Sequence, residues 1–350
     1  MSPLPARVLV DLPNWLGDFV HALPALAALL AANRGGETWV LVPASHAPLA
    51  RLLGVGVIER PAGAAFGFGR GLRSRFDVAL TARHSTRAKL LLTGTAAPRA
   101  LASRGRGAAT LGLATFSVER GRHQRHDLDH ALRALGVPFP DDGAFLLPLP
   151  AALAARGGRV RHRLAGGAPA VALLPATRGG NGKQYPVERF ARVAEALART
   201  GTRTIVVVGP GEEPLAAMLA GPTGIDVAPA ELALDETAAL LSACDAALGN
   251  DSGLTHLAAA VGCPTVALFG PTDPGRTAPA PPAIVVRAEA PSHGRGAPCV
   301  AHLGPDTVVA AVRAVLSPRR PAPAERPPDR AKSGEARERE SPCAQREATL

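Results

Sequence analysis

Ala246-Ala-Leu-Gly-Asn-Asp-Ser-Gly-Leu-Thr-His-Leu-Ala-Ala-Ala-Val-Gly-Cys-Pro-Thr-Val-Ala-Leu-Phe-Gly-Pro-Thr-Asp273 reads as strand, turn, helix, strand and loop. Ala246 to Leu248 suits a short buried strand, and Gly249 to Ser252 a polar turn. Ser252 is placed to cap a helix from Gly253 to Val261, which Gly262 and Pro264 stop. Thr265 to Phe269 then gives a second apolar strand. A helix that opens at the carboxyl end of a strand presents free N–H groups and a positive dipole end, which suits phosphate. An ordinary capped βαβ turn uses the same residue types, so this stretch alone leaves both readings open.

Outward from it, short strands and helices alternate in both directions. Strands are expected at Arg7–Leu12, Thr38–Val42, Val55–Glu59 and Asp77–Leu80, and then at Ala170–Leu174, Arg203–Val208 and Ala283–Arg287. Helices are expected at Asp18–Asn33, His46–Leu53, Thr86–Leu92, Arg125–Leu135, Ala151–Leu164, Val187–Arg199, Asp235–Ala243 and Pro305–Leu316. Such alternation predicts parallel sheets covered by helices on both faces, an α/β fold of two Rossmann-like doubly wound domains. We divide the chain into residues 1–150, a connection at 151–168, a second domain at 169–316 and a tail at 317–350. Pro, Arg, Glu and Ser dominate that tail, which predicts disorder. Pro24 inside the first helix predicts a kink or a late start. Gly63 to Arg75 and Gly94 to Gly112 carry no clear pattern.

The composition narrows the function classes. The chain has 350 residues, 47% of them apolar, enough for two cores. No apolar run of about 18 residues predicts a membrane span, and no signal peptide is expected at the start. Cys244, Cys263, Cys299 and Cys343 lack metal-ligand spacing, so a reducing, cytoplasmic setting is expected. Net charge is +10, and nine Lys or Arg stand between Arg70 and Arg106 against Asp77 alone. That patch suits an anionic partner such as a phosphorylated glycolipid or a membrane surface, or reflects only this chain's general use of arginine. Aromatics make up only 3%, so no base-stacking platform is expected and nucleic acid is not. His123, His126 and His130 offer either a metal cluster or a solvated helix face.

The candidate site is a set of loops at the carboxyl ends of strands: Pro175 to Tyr185, Gly209 to Glu213, Gly249 to Ser252 and Gly270 to Gly275. Ligands bind at that edge in open α/β sheets. Thr177, Lys183, Glu212 or Glu213, Asp251, Ser252, Gly253 and His256 would meet there and suit a nucleoside diphosphate. The chain has 36 Arg and three Lys, so a lysine kept at 183 marks a place for a compact charge. The dinucleotide G-x-G-x-x-G and Walker A patterns are both absent, which argues against hydride transfer and ATP hydrolysis. Asp18 is read either as a helix cap or as a carboxylate at a cleft mouth.

Leu12-Pro-Asn-Trp-Leu-Gly-Asp-Phe-Val-His-Ala-Leu-Pro-Ala-Leu26 closely resembles the N-terminal motif of the family 9 glycosyltransferases, the lipopolysaccharide heptosyltransferases. Lys183-Gln-Tyr-Pro-Val-Glu-Arg-Phe190 is similar to their Lys-Arg-Trp-Pro segment. Gly249-Asn-Asp-Ser-Gly-Leu-Thr-His256, with Phe269-Gly-Pro-Thr-Asp-Pro274, is similar to their donor-site motif. Order and spacing agree from about residue 7 to 316, and the first motif looks most like the heptosyltransferase II branch. The resemblance implies a GT-B fold and transfer of heptose from ADP-heptose to the inner core of lipopolysaccharide. It implies inversion at the sugar, no cofactor and no metal. It makes Asp18 the base and assigns Thr177, Lys183, Glu212, Asp251, Ser252, Gly253 and His256 to the donor. Trp15, Gly17 and Arg83 go to the anionic acceptor, with peripheral contact to the inner membrane. The sequence departs from the pattern at Gln184, where the family has Arg, and at Ala301-His302, where it has Arg-Asp. It departs also in the shortened segment Ala290–Cys299 and at Thr81-Ala-Arg-His84. The other readings are a relative moving a different sugar to a cell-envelope glycan, or a nucleotide-sugar-binding scaffold without transfer.

Overall fold

Each half of the chain builds a six-stranded parallel sheet with the strand order of a doubly wound fold. In the computed structural model, residues 7–105, 108, 110–139, 145–178, 182–220, 225–289 and 298–316 are described. The expected tail at 317–350, Arg106 and the shortened segment 290–297 lie outside them. The first sheet comprises β1 (Arg7–Asp11), β2 (Glu37–Val42), β3 (Gly56–Glu59), β4 (Val78–Thr81), β5 (Arg99–Ser103) and β6 (Ala114–Phe116). Its order is β3-β2-β1-β4-β5-β6. The second comprises β7 (Ala170–Leu174), β8 (Arg203–Val206), β9 (Asp226–Val227), β10 (Ala246–Asn250), β11 (Thr265–Phe269) and β12 (Ile284–Arg287), in the order β12-β11-β10-β7-β8-β9. The central strands are buried on both faces, and β7, β10 and β11 are buried along their whole length. This is why they read as continuous apolar runs rather than alternating ones.

Both sheets reverse direction of winding at one point, between β1 and β4 in the first and between β7 and β10 in the second. The register sets Asp11 opposite Thr81 in the first and Gly249 opposite Leu174 in the second. Crevices open beyond the carboxyl ends of such strand pairs, because the flanking loops diverge to opposite faces.

Several expected elements shift. The first helix runs from Leu16 to Ala32, starting before Asp18 and continuing past Pro24. Its N-cap is Trp15, so Asp18 stands in the first turn and does not cap the helix. Where Arg125–Leu135 was expected as one helix, the chain makes a 3-10 turn at Gln124–His126 and a short helix at Asp129–Ala134. The two patternless stretches contain the helix Phe66–Arg70 and the whole of β5, and the arginines and glycines around them hide the periodicity. Segment 151–165 is a helix packed on the helix Leu234–Ala243.

The helices Leu16–Ala32 and Gly253–Ala260 pack against each other and join the two halves. A Cβ built on Gly253 would lie 2.7 Å from the Leu16 Cβ, and one on Gly17 would lie 3.2 Å from the His256 ring. At 253 only glycine permits that approach, and at 17 a Cβ would press on the ring. Beside it, His21 packs its ring 4.5 Å from His256 and 5.1 Å from His123. Burial, with His256 and His123 alongside, pushes His21 down to about 2. Burial and the neighbouring Arg60 push His46 down to about 4.

Two predictions follow from this packing. Gly253→Ala should lose about 1–3 kcal/mol of stability through overpacking, read as a lower urea midpoint. Both histidines stay neutral when folded but take a proton when unfolded below about pH 6.5. Stability should therefore fall as pH drops below that value, by roughly 3–4 kcal/mol for the pair between pH 6.5 and 5. The fall contributed by His46 ends near pH 4. His46→Leu should remove about half of the loss in urea titrations at pH 7 and pH 5.

Candidate active site

A buried charge network sets the first crevice. Asp11 ends β1 with no exposed surface, and Arg60 is ion-paired to it. Arg60 also donates to the carbonyl oxygens of Leu41 (3.0 Å) and Leu12 (3.1 Å), and to the Asn14 side chain. Thr81 Oγ1 donates to Asp11 Oδ2 at 2.8 Å, and Arg83 lies 3.3 Å from the same oxygen. Burial pushes the Asp11 carboxyl up, while Arg60, Arg83 and Thr81 pull the other way. The network pins the loop Leu12–Asn14 against β2 and β4. A cavity of about 220 Å³ opens in front of it, lined by Trp15, Asp18, Arg83, His84 and Gln124 among others. Within it the Asp18 carboxylate accepts from Gln124 Nε2 at 2.8 Å. The Arg83 guanidinium, expected to face an acceptor, lines this cavity but is also tied to Asp11.

The second crevice is built on Asn250 at the end of β10. Its buried amide donates to the Pro175 carbonyl oxygen at 2.6 Å, and its Oδ1 accepts from the Tyr185 N–H at 3.0 Å. Gln184 Nε2 donates to the same Pro175 oxygen at 2.7 Å. These bonds fold the loop after β7 so that Lys183 Nζ reaches Asp251 Oδ2 at 3.0 Å. Gln184 is thus a loop brace, which accounts for an uncharged residue there. Thr177 Oγ1 donates to the Asp251 carbonyl oxygen at 3.2 Å, and Thr272 Oγ1 to Asp251 Oδ2 at 2.8 Å. His256 Nε2 stands 3.4 Å from Asp251 Oδ1. Burial alone would raise the Asp251 carboxyl, but the hydrogen bonds from His256 and Thr272 and the charges of His256 and Lys183 hold it at about 2. Asp251 therefore stays an anion, its carboxylate set among three side-chain partners, Lys183, Thr272 and His256.

Ser252 occupies the N-cap position of the Gly253 helix, but its hydroxyl meets Thr255 Oγ1 at 3.3 Å rather than a backbone N–H. Glu212 is placed differently from Lys183 and Asp251. Its carboxylate accepts from the Gly209 N–H at 2.8 Å, closing its own turn. The structure thus brings Thr177, Lys183, Asp251, Ser252, Gly253 and His256 into one cluster, while Glu212 stays on the loop after β8, the strand next to β7. Trp15 is 58% exposed, and the Arg178 guanidinium from the second half lies 5.5 Å over its ring. The three candidate histidines do not converge. His123 Nε2 meets the Ala278 carbonyl oxygen, His126 meets Asp129, and His130 meets Glu119. Among the described residues no group of His, Cys, Asp or Glu is arranged to hold a metal ion.

The model of glycosyltransferase family 9 (heptosyltransferase) matches residues 65–301. The chain belongs to this family. Lipooligosaccharide heptosyltransferase 2 of Haemophilus ducreyi is 25% identical over 317 residues, covering 80% of this chain and 88% of that protein. The Haemophilus influenzae lipooligosaccharide heptosyltransferase 2 is 34% identical over 122 residues, so the match spans only 35% of that relative's length and 33% of this chain. Among solved structures, E. coli ADP-heptose LPS heptosyltransferase II superimposes with a TM-score of 0.76 at 24% identity, covering 89% of this chain and 98% of that one. E. coli heptosyltransferase WaaC with ADP gives 0.71 at 24% identity, over 88% and 99%. At that identity the likeness speaks for the fold, and the fold is GT-B: two Rossmann-like domains.

Sequence reasoning missed Asp11, Arg60, Asn250, Thr272 and Gln124. A signal existed for the first two, since a carboxylate inside an apolar strand needs a partner. Gln124 carries no signal, because its partner is 106 residues away.

Breaking the Asp11 network tests its role. Arg60→Met leaves a buried carboxylate short of its main partner and should cost about 3–5 kcal/mol in urea unfolding. Adding Asp11→Asn should return part of that loss, the signature of a coupled pair.

Proposed function

We propose that this family 9 chain is an inverting glycosyltransferase that moves heptose from ADP-heptose to the inner core of lipopolysaccharide. The observation that carries the reading is the meeting of two crevices where Gly17 packs on Gly253, one holding Asp18 and the other Lys183 and Asp251. A single displacement at an anomeric carbon needs those two kinds of group on opposite sides of the sugar. Asp18 takes the proton of the acceptor hydroxyl as its oxygen bonds to the anomeric carbon. The bond to the diphosphate breaks on the other side, and the configuration inverts. Lys183 and the N–H groups at the mouth of the Gly253 helix take up the leaving charge, a role that asks for no metal. Lys183 is free to do so once the diphosphate competes with Asp251 for its ammonium. Thr177, Ser252 and His256 line the donor's path, and Glu212, on the neighbouring loop, is the residue for ribose hydroxyls.

On this reading residues 1–150 receive the acceptor through Trp15, Gly17 and Arg83, and residues 169–316 hold the nucleotide sugar. The relatives' printed names support heptose and lipopolysaccharide. The acceptor is anionic and membrane-embedded, and the first half offers a matching surface. Phe66 is 44% exposed on a short helix ending in Arg70, followed by exposed Arg73 and Arg75. No described helix is long and apolar enough to cross a membrane. Peripheral contact on the cytoplasmic face of the inner membrane is the location this reading implies.

Calorimetry with ADP-heptose, ADP, UDP and GDP tests the donor half. Adenine ligands should bind at micromolar Kd, about −8 kcal/mol, and Lys183→Ala should weaken them roughly 10- to 100-fold. Asp18→Ala should lower transfer by about 10² or more while leaving donor affinity within about twofold. Preference for UDP or GDP would assign a different sugar to the same fold. Binding without transfer in the wild type would leave a nucleotide-sugar scaffold.

A further inference from the structure

We propose that Arg276 is a positioning residue for the base. It clasps the turn Gln124–His126 from the second half of the molecule, so that Gln124 keeps its hydrogen bond on Asp18. The proposal rests on the reading of Asp18 as the group that takes the acceptor proton.

Arg276 sits on the four-residue helix Pro274–Thr277, whose N-cap Asp273 accepts from the Gly275 N–H at 3.0 Å. From there its guanidinium crosses to the first half and divides between two acceptors. One nitrogen donates to Asp127 Oδ2 at 2.6 Å and the other to the Arg122 carbonyl oxygen at 2.8 Å. The two acceptors flank the turn on either side. A second bond, from His123 Nε2 to the Ala278 carbonyl oxygen at 2.8 Å, ties the same two segments together. On its far side the turn sends out Gln124, whose amide donates to Asp18 Oδ1 at 2.8 Å.

The pair is unlike an exposed ion pair, which holds little. The side chains of Arg276 and Asp127 are only 24% and 15% exposed. Asp127 Oδ1 is buried without a hydrogen-bond partner, so the arginine is the main compensation for that carboxylate. The planar fork of arginine also fixes direction as well as distance, which lysine does not. Gln124 contributes a neutral amide. With Oδ1 taken by it, Oδ2 of Asp18 is the oxygen that receives the acceptor proton.

The clasp has a further consequence. Thr272, four residues before Arg276, donates to Asp251 in the donor crevice. One short segment therefore touches the donor carboxylate at one end and steers the base at the other. A donor that engages Asp251 and Thr272 acts on the same segment that holds the turn.

The test uses the full chain, ADP-heptose and an O-deacylated lipopolysaccharide core lacking the heptose to be added. Arg276→Met and Gln124→Leu should each lower kcat about tenfold, while the donor KM and ADP affinity stay within about twofold. Arg276→Lys should restore only part of kcat, and the double variant should be no slower than the slower single one, because both remove the same link. Should Arg276→Met fail to fold, Asp127→Asn replaces it with the same expected pattern. Wild-type kcat in Arg276→Met or Asp127→Asn would overturn the proposal, as would fully multiplicative losses in the double variant or a loss confined to KM. A wild type that binds ADP-heptose but transfers to no core acceptor would overturn the reading of Asp18, and the proposal with it.

Discussion

The molecule depends on how closely two helix mouths approach. Gly17 and Gly253 stand where the helix Leu16–Ala32 meets the helix Gly253–Ala260, with no room for a Cβ at the second position. Each helix starts at the carboxyl edge of its own sheet, directly after β1 and after β10. Bringing their first turns together therefore brings two switch-point crevices face to face. The apolar bodies of the same helices then merge the inner cores of both halves, with Phe19, Leu23 and Leu26 in one cluster with Leu257 and Ala258. A larger side chain at the junction would separate the crevices as well as loosen the core.

Each crevice is organised by one buried polar residue at the end of its central strand. In the first, Asp11 gathers Arg60, Thr81 and Arg83 and thereby fixes the loop that leads into Asp18. In the second, Asn250 braces the loop that carries Lys183. The solutions differ in charge for a physical reason. A buried carboxylate is costly and demands cationic partners, which leaves the first crevice with Arg83 at its wall. A neutral amide satisfies two backbone groups and leaves the charges of Lys183 and Asp251 available beside it. The histidines at the junction fit the same logic. His21 is held neutral by burial among other rings, so it adds bulk to the seam without adding charge.

The residues legible from sequence were those whose chemistry is local. Asp251, Ser252, Gly253 and His256 fall within six consecutive residues, and Lys183 is one of three lysines in a chain with 36 arginines. The strands with continuous apolar runs were also plain: Ala170–Leu174 and Thr265–Phe269 lie where the pattern put them. The strand Arg99–Ser103 was hidden because its burial comes from pairing with Val78–Leu80, not from its own pattern. The helix Leu16–Ala32 began earlier than Asp18 because tertiary packing of Leu16 on Gly253 outweighed local signals.

The sequence by itself determined the alternation of strands and helices, the loops that reach the carboxyl edges, and the types of charge those loops carry. These follow from periodicity, capping and residue chemistry, which act over a few residues. Only the tertiary structure decided that Asp18 is held by Gln124 rather than by its own helix, and that Glu212 closes its own turn. It alone set Arg276 against Asp127, 149 residues apart in the chain. Contacts of that separation leave no local pattern. They exist because two sheets of the same winding order meet at their switch points, and that meeting is fixed by packing across the whole fold.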